Sequence, residues 1–155
     1  MILFHCFRQP YTFGYGLSFT KFSYSSLKLK SSIKAGQNIQ ISADVQNTGK
    51  MAGNEVIQLY ITDSAASVPV PIRNLAGVRR IFLKPGEKRQ VSFTFTPRQM
   101  SVILDNGKRV IEPGEFSISV GGKQPGFTGS ADAATTGVVS GKFFVTGKVL
   151  ELAEK

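Results

Sequence analysis

Ten carboxylates, one histidine and one cysteine are the side chains of this 155-residue chain that could do acid–base or nucleophilic work. General acid–base chemistry needs two such groups converging on one pocket. The acids are Asp44, Glu55, Asp63, Glu87, Asp105, Glu112, Glu115, Asp132, Glu151 and Glu154. Most of them read as turn or outward strand positions. Glu87 and Glu115 each follow a Pro-Gly pair and begin a strand, and Asp105 opens an Asp-Asn-Gly turn. No catalytic pair is expected from this distribution. His5 and Cys6 adjoin near the start with no carboxylate motif beside them, so neither a Cys–His nucleophile nor a metal site is predicted. A single cysteine leaves no internal disulfide. Without a glycine-rich loop between a strand and a helix there is no phosphate cradle, and no cofactor is expected.

The aromatic residues offer a different chemistry. Tyr11, Phe13, Tyr15, Tyr60 and Phe127 are candidates to stack on sugar rings. The competing reading of the aromatic, glycine-rich stretch Tyr11–Thr20 is a clamp onto the domain's own core, since aromatic side chains are mainly packing material. The net charge of +9 raises the question of a polyanion partner. The basic residues, Arg79, Arg80, Lys88 and Arg109 among them, are scattered over strands and turns, and no base-reading element is recognisable, so nucleic acid is not expected. No apolar run approaches a membrane span. Met1–Phe7 is apolar but has neither a basic start nor a small-residue cleavage site, so no signal peptide is recognised.

The elements that must position these groups are strands. From Phe82 to Gly122, Pro85-Gly86-Glu87 and Pro113-Gly114-Glu115 each launch a regular alternation. Pro sets φ at the first central turn position and Gly supplies positive φ at the second, which predicts two type II turns. Val91, Phe93 and Phe95 oppose Gln90, Ser92 and Thr94, and Phe116, Ile118 and Val120 oppose Glu115, Ser117 and Ser119. A period of two with one apolar side predicts half-buried antiparallel strands. Asp105-Asn106-Gly107 predicts a hairpin between them.

Upstream, a first strand is predicted over Phe19–Leu29, with a bulge at Ser25-Ser26 where the apolar parity slips. Ile33–Gly36 reads as a turn. Ile39, Ile41, Ala43 and Val45 alternate cleanly and stop at Asn47-Thr48-Gly49. Glu55–Thr62 is apolar on both parities and should be a central strand. Asp63–Asn74, with Pro69 and Pro71, is a loop; Leu75–Leu83 is a strand; Thr96–Met100 makes one helical turn. Lys123–Gly141 turns to Gly, Ala, Ser and Thr and reads as an extended loop. Phe143 and Val145 mark a last strand, and Lys148–Lys155 a frayed helix or tail. The expected organisation is a linker over 1–20, a sandwich over 21–147 and a tail over 148–155. Seven to eight short antiparallel strands with no amphipathic helix predict an all-β, immunoglobulin-like sandwich.

Ordered motifs then resemble a known family. Phe13-Gly14-Tyr15-Gly16-Leu17-Ser18-Phe19-Thr20-Lys21-Phe22 resembles the segment leading into the C-terminal domain of glycoside hydrolase family 3 enzymes, the β-glucosidases and β-xylosidases. Val45–Gly49, Ala52–Ile61, Leu83–Glu87 and Glu112–Phe116 continue the likeness in order, so that it spans about Tyr11 to Gly147. The chain departs from the family at Val70, where an Arg is common before the proline, and at Ala76-Gly77-Val78, where Lys-Gly-Phe is common; Arg73 keeps one charge in that loop. The resemblance implies a fibronectin type III-like sandwich that follows a barrel with a nucleophilic Asp and a second sandwich with the acid/base Glu. It implies a non-catalytic accessory role, with the catalytic domains as partner in cis or in trans and polysaccharide as a further ligand. Retaining glycoside hydrolysis needs two carboxylates about 5–5.5 Å apart, and no such pair is expected here. A periplasmic or extracellular location follows if the chain shares the family's. The alternatives are a self-standing carbohydrate-binding or adhesion module, or a polyanion-binding sandwich driven by charge.

Overall fold

The computed structural model describes residues 18–126 and 134–153. Eleven strand segments follow one another among these residues: β1 (Phe22–Lys28), β2 (Ser32–Lys34), β3 (Ile39–Asn47), β4 (Gly53–Asp63), β5 (Asn74–Leu83), β6 (Lys88–Phe95), β7 (Val102–Ile103), β8 (Arg109–Ile111), β9 (Gly114–Gly121), β10 (Val138–Thr146) and β11 (Leu150–Glu151). Seven of them have seven or more residues, and the other four are segments of two or three. One 3-10 turn, Pro97–Met100, links β6 to β7.

Two sheets face each other. One has the order β1-β3-β6 and the other β2-β10-β9-β4-β5, while β11-β8-β7 forms a small separate ribbon. Strict alternation in β3 sends Ile39, Ile41, Ala43 and Val45 into the interior, where they meet Ile57, Leu59 and Ile61 of β4 and Phe93 and Phe95 of β6. Antiparallel register places Ile41 opposite Phe93 and Ile39 opposite Phe95 on the first sheet. On the second, Phe116 and Phe143 pair across β9 and β10 and stack with ring centroids 5.3 Å apart, a geometry worth about 0.5–1.5 kcal/mol beyond burial alone. β4 lies between β5 and β9, the central position expected of it, with Ile57, Leu59 and Ile61 buried on its inward side and Gln58 and Tyr60 buried on its outward side.

The all-β sandwich is the architecture expected, and several local expectations hold in detail. The register of β1 shifts between Ser25 and Lys28, and Ser26 takes a left-handed φ of 52° to absorb the extra residue. The Pro85-Gly86 turn has Gly86 at φ 77° and closes with the Glu87 amide donating to the Lys84 carbonyl at 3.0 Å. The Asp105-Asn106-Gly107 hairpin is present, with Gly107 at φ 79°.

Other expectations are corrected. Pro113-Gly114 makes no positive-φ turn: Gly114 is the first residue of β9, and its missing side chain has a steric cause, since a Cβ there would meet that of Ala65 at 2.6 Å. The turn read at Ile33–Gly36 is present, with Gly36 at φ 90°, but Ile33 and Lys34 belong to β2, which pairs in parallel with β10 and so departs from an otherwise antiparallel scheme. The loop expected as far as Gly141 ends sooner, because β10 begins at Val138. The tail is no helix: Leu150 and Glu151 pair with Ile111 and Val110, so hydrogen bonding of the body continues past residue 147.

Candidate functional site

Three polar arrangements stand out against the apolar body. The first is inside it. Glu55 shares the inward parity of Ile57 and Leu59 and is only 7% exposed. Its Oε1 accepts a hydrogen bond from Tyr24 Oη at 2.7 Å and another from Thr136 Oγ1. Burial pushes the Glu55 carboxyl above the usual carboxylate range, against the opposing pull of the Thr136 and Tyr24 hydroxyls and the Val56 amide. Tyr24 is held well above the ordinary phenol range, first by burial and then by the Glu55 charge, so it stays the donor. The cluster ties β1 of one sheet to β4 of the other. Tyr24, Thr136 and the Val56 amide, all groups of the fold itself, hold the carboxylate, which makes this a structural clasp.

The second arrangement closes the end of the body where residues 18–22 come in. Asn47, fully buried, satisfies its whole side-chain amide. Its Nδ2 donates to the Met51 and Leu83 carbonyls at 2.8 and 3.0 Å, and its Oδ1 accepts from Thr20 Oγ1 at 2.6 Å and the Gly49 amide at 3.0 Å. Beside it lies a hollow of about 450 Å³ between residues 18–21 and the 48–51 turn, where Phe19 and Met51 stand 89% and 56% exposed.

The third is a groove of about 330 Å³ on the outer face of the five-stranded sheet. Two cross-strand rows form its floor. Thr62, Ser117 and Lys142 lie side by side on β4, β9 and β10, and Tyr60, Ser119 and Ser140 form the next row. The inward turn of Phe116, Ile118 and Val120 is what sends Ser117 and Ser119 outward. Arg73, from the loop before β5, overhangs the floor, with Gly126 packed so closely beneath its guanidinium that a Cβ would lie 2.8 Å from Nη2. Burial pushes the Tyr60 hydroxyl's pKa up, and the Arg73 charge pulls it part of the way back.

Apart from the buried Glu55, Glu112 lies between β8 and β9 and Asp63 ends β4. Glu112 accepts from the Ser67 amide and hydroxyl at 2.9 and 2.6 Å, stapling the 64–73 loop. Asp63 accepts from the Ala65 amide at 3.0 Å; burial, helped by the Glu112 charge, raises its pKa. Among the described residues no carboxylate lines the outer groove. Among the described residues no three His, Cys, Asp or Glu side chains gather as a metal site.

Of the five stacking candidates, Tyr11, Phe13, Tyr15 and Phe127 lie outside the described residues, as do His5 and Cys6. Tyr60 is in the groove floor, but it is 6% exposed and its hydroxyl donates to Gln58 Oε1 at 2.7 Å. So small an opening leaves little of the ring for a sugar to stack on, and the hydroxyl is tied to Gln58. The residues that do line the groove were legible only as outward parity in β9. Their cross-strand partners depend on register, which no local pattern carries.

A family profile described as fibronectin type III-like domain matches residues 55–124. The chain is 45% identical over 112 residues to a β-xylosidase of Formosa agariphila, a match covering 72% of this chain and 16% of that protein. It is 41% identical over 113 residues to the thermostable β-glucosidase B of Acetivibrio thermocellus, covering 72% of this chain and 15% of that one. The structure of a β-glucosidase from Listeria innocua in complex with glucose superposes with a TM-score of 0.75 at 28% identity, over 88% of this chain and 18% of that chain. This chain therefore spans under a fifth of the length of each of these relatives.

Proposed function

This chain is a fibronectin type III-like domain of the kind carried by glycoside hydrolase family 3 enzymes, and we propose that it serves such an enzyme as a non-catalytic accessory domain that stabilises the catalytic domains. The observation that carries the proposal is the recurrence of this one sandwich as a small part of much longer β-xylosidases and β-glucosidases. The exposed Phe19 and Met51, next to a lead-in segment fixed by Asn47, support a docking face at that end. Apolar side chains of this size contribute roughly 1.5–3 kcal/mol each when a partner covers them.

A chimera tests it. The matching segment of the Formosa agariphila β-xylosidase is replaced by this chain and compared with a deletion of the segment. The expected result is that the chimera keeps the enzyme's melting temperature and activity while the deletion loses both. A deletion as heat-stable as the intact enzyme overturns the stabilising role. The isolated chain is expected to leave nitrophenyl glucosides and xylosides untouched, and turnover that persists through purification overturns the non-catalytic reading. A second role, helping to hold polysaccharide, is favoured by the hydroxyl-floored groove on β4, β9 and β10.

A further inference from the structure

The geometry points to the outer groove as a binding site for a carboxylate-bearing sugar, a hexuronate residue, with Arg73 as the group that selects the acid. This rests on the reading of the groove as a polysaccharide contact and adds the class of sugar. It is independent of the stabilising role.

The floor is suited to a polyol. Neighbouring strands lie about 4.8 Å apart and alternate residues on one strand face about 7 Å apart. The two rows therefore cover about 10 by 7 Å, the footprint of one pyranose with its exocyclic groups. The hydroxyls of Ser117, Ser119 and Ser140 have no hydrogen-bond partner among the described residues. Ser119 is 5% exposed, yet its oxygen is not among the buried polar atoms lacking a partner, so what remains open of it is open to the groove. Thr62 donates to the Ile72 carbonyl at 2.7 Å and Tyr60 to Gln58, so both keep lone pairs that accept from a sugar hydroxyl. Three free hydroxyls that donate or accept, beside two that accept, match the mixed donors and acceptors of a sugar ring better than the pure acceptors of a simple anion.

The walls choose the charge. Among the described residues no carboxylate lines the groove, while two cations do. Lys142 is held by Glu115 at 2.7 Å, so its charge is largely compensated. Arg73 makes no hydrogen bond or ion pair with another described residue; its guanidinium lies close to Gly126, and its charge acts on the Tyr60 hydroxyl. A planar, permanently charged fork over a hydroxyl floor is the arrangement that recognises a carboxylate bidentately. A neutral sugar leaves that fork without a counter-charge. At about 330 Å³ the groove is at the small end of ligand sites, sized for one or two sugar units.

The test is a titration of the full 155-residue chain, followed by amide chemical shifts. The ligands are D-glucuronate, D-glucose and inorganic phosphate at equal ionic strength. Glucuronate is expected to bind at least tenfold more tightly than glucose, to shift the amides of Ser117, Ser119 and Ser140, and to weaken as salt rises. Arg73→Gln, at an exposed loop position, is expected to lose about tenfold for glucuronate with the remaining spectrum unchanged. Lys142→Gln is expected to lose less, because Glu115 already balances that charge. Equal affinity for glucose and glucuronate overturns the inference while leaving a neutral-polysaccharide contact standing. Phosphate binding as tightly as glucuronate overturns the sugar assignment. No shift in the groove with any ligand, including xylo- and gluco-oligosaccharides, removes both the inference and the polysaccharide role beneath it.

Discussion

Replacing Glu55 by Gln removes a buried charge and keeps the oxygen that both hydroxyls address. Glu55 Oε1 accepts from Tyr24 and Thr136 in a site sealed between the sheets. Burial raises the folded-state pKa above its unfolded value, so the folded protein binds this proton more tightly than the unfolded chain does. The stability linked to that proton is fully present below the ordinary glutamate pKa of about 4.3 and is lost as pH rises through the raised folded value. Glu55→Gln is therefore expected to be at least as stable as the wild type at pH 7. The difference between the two should shrink or reverse as pH falls to about 4. Tyr24→Phe is the complementary probe. It deletes one donor, worth about 1.5–3 kcal/mol to a charged acceptor and about 0.5–1.5 kcal/mol to a neutral one. At pH 7 that is a fall in melting temperature of roughly 3–12 °C, at about 2–4 °C per kcal/mol for a chain of this size. The assay is urea unfolding followed by far-ultraviolet circular dichroism across pH 4–7 for wild type and both variants. Asp63, also raised, and Asp44 and Glu87, both lowered, are common to all three proteins and cancel in the differences. Wild-type and Glu55→Gln profiles that run parallel, or a Tyr24→Phe loss that is the same at both ends of the range, would refute the reasoning.

Four further outcomes are expected. Asn47→Ala breaks four hydrogen bonds, two buried and two part-buried, and should cost roughly 2–6 kcal/mol, at about 0.5–1.5 kcal/mol each, read as a lower urea midpoint. Phe93→Ala empties a buried site against Gly77 and beneath the Arg79 guanidinium, which lies 5.7 Å from the ring centroid, and should cost about 3–5 kcal/mol by the same measurement. Gly86→Ala has open space for its methyl group but a φ of 77°, so it should lose about 1 kcal/mol through backbone strain alone, and a gain in stability would show that the turn relaxes. Lys108→Ala removes a 2.9 Å pair to Glu151 in which both side chains are more than half exposed; the melting temperature should barely move, and a large drop would mean that the β8–β11 ribbon matters more than its exposure implies.

What the sequence disclosed follows from where its information is local. β3, β6 and β9 announce themselves because each has one wet face and one dry face, and Pro85-Gly86 because its φ values are built into the residue types. Pro113-Gly114 has the same letters and a different cause: Gly114 yields space to Ala65, forty-nine positions earlier, and no dipeptide rule can see that contact. β2 and β11 escaped because two or three residues carry no period; their pairing partners, β10 and β8, decide them. Glu55 could have been found by parity, since it stands two residues before Ile57 on the inward side, but Tyr24 and Thr136 are distant in the chain and one lies in a low-complexity stretch. The groove shows the same division. That Ser117 and Ser119 face outward was readable; that Thr62, Ser140 and Arg73 join them was a matter of register and loop path.

The Asn47 junction also sets how tension travels through the protein. Thr20 grips its amide, the Thr48 amide and hydroxyl hold the Lys21 carbonyl, and the Phe22 amide donates to the Thr135 carbonyl at 2.8 Å. A tug on the residues before Thr20 reaches these bonds before any of the oily interior, so they act as a clutch at the end of β1. Force arriving at Thr20 therefore enters the sandwich through polar bonds at its rim and not through its apolar contacts.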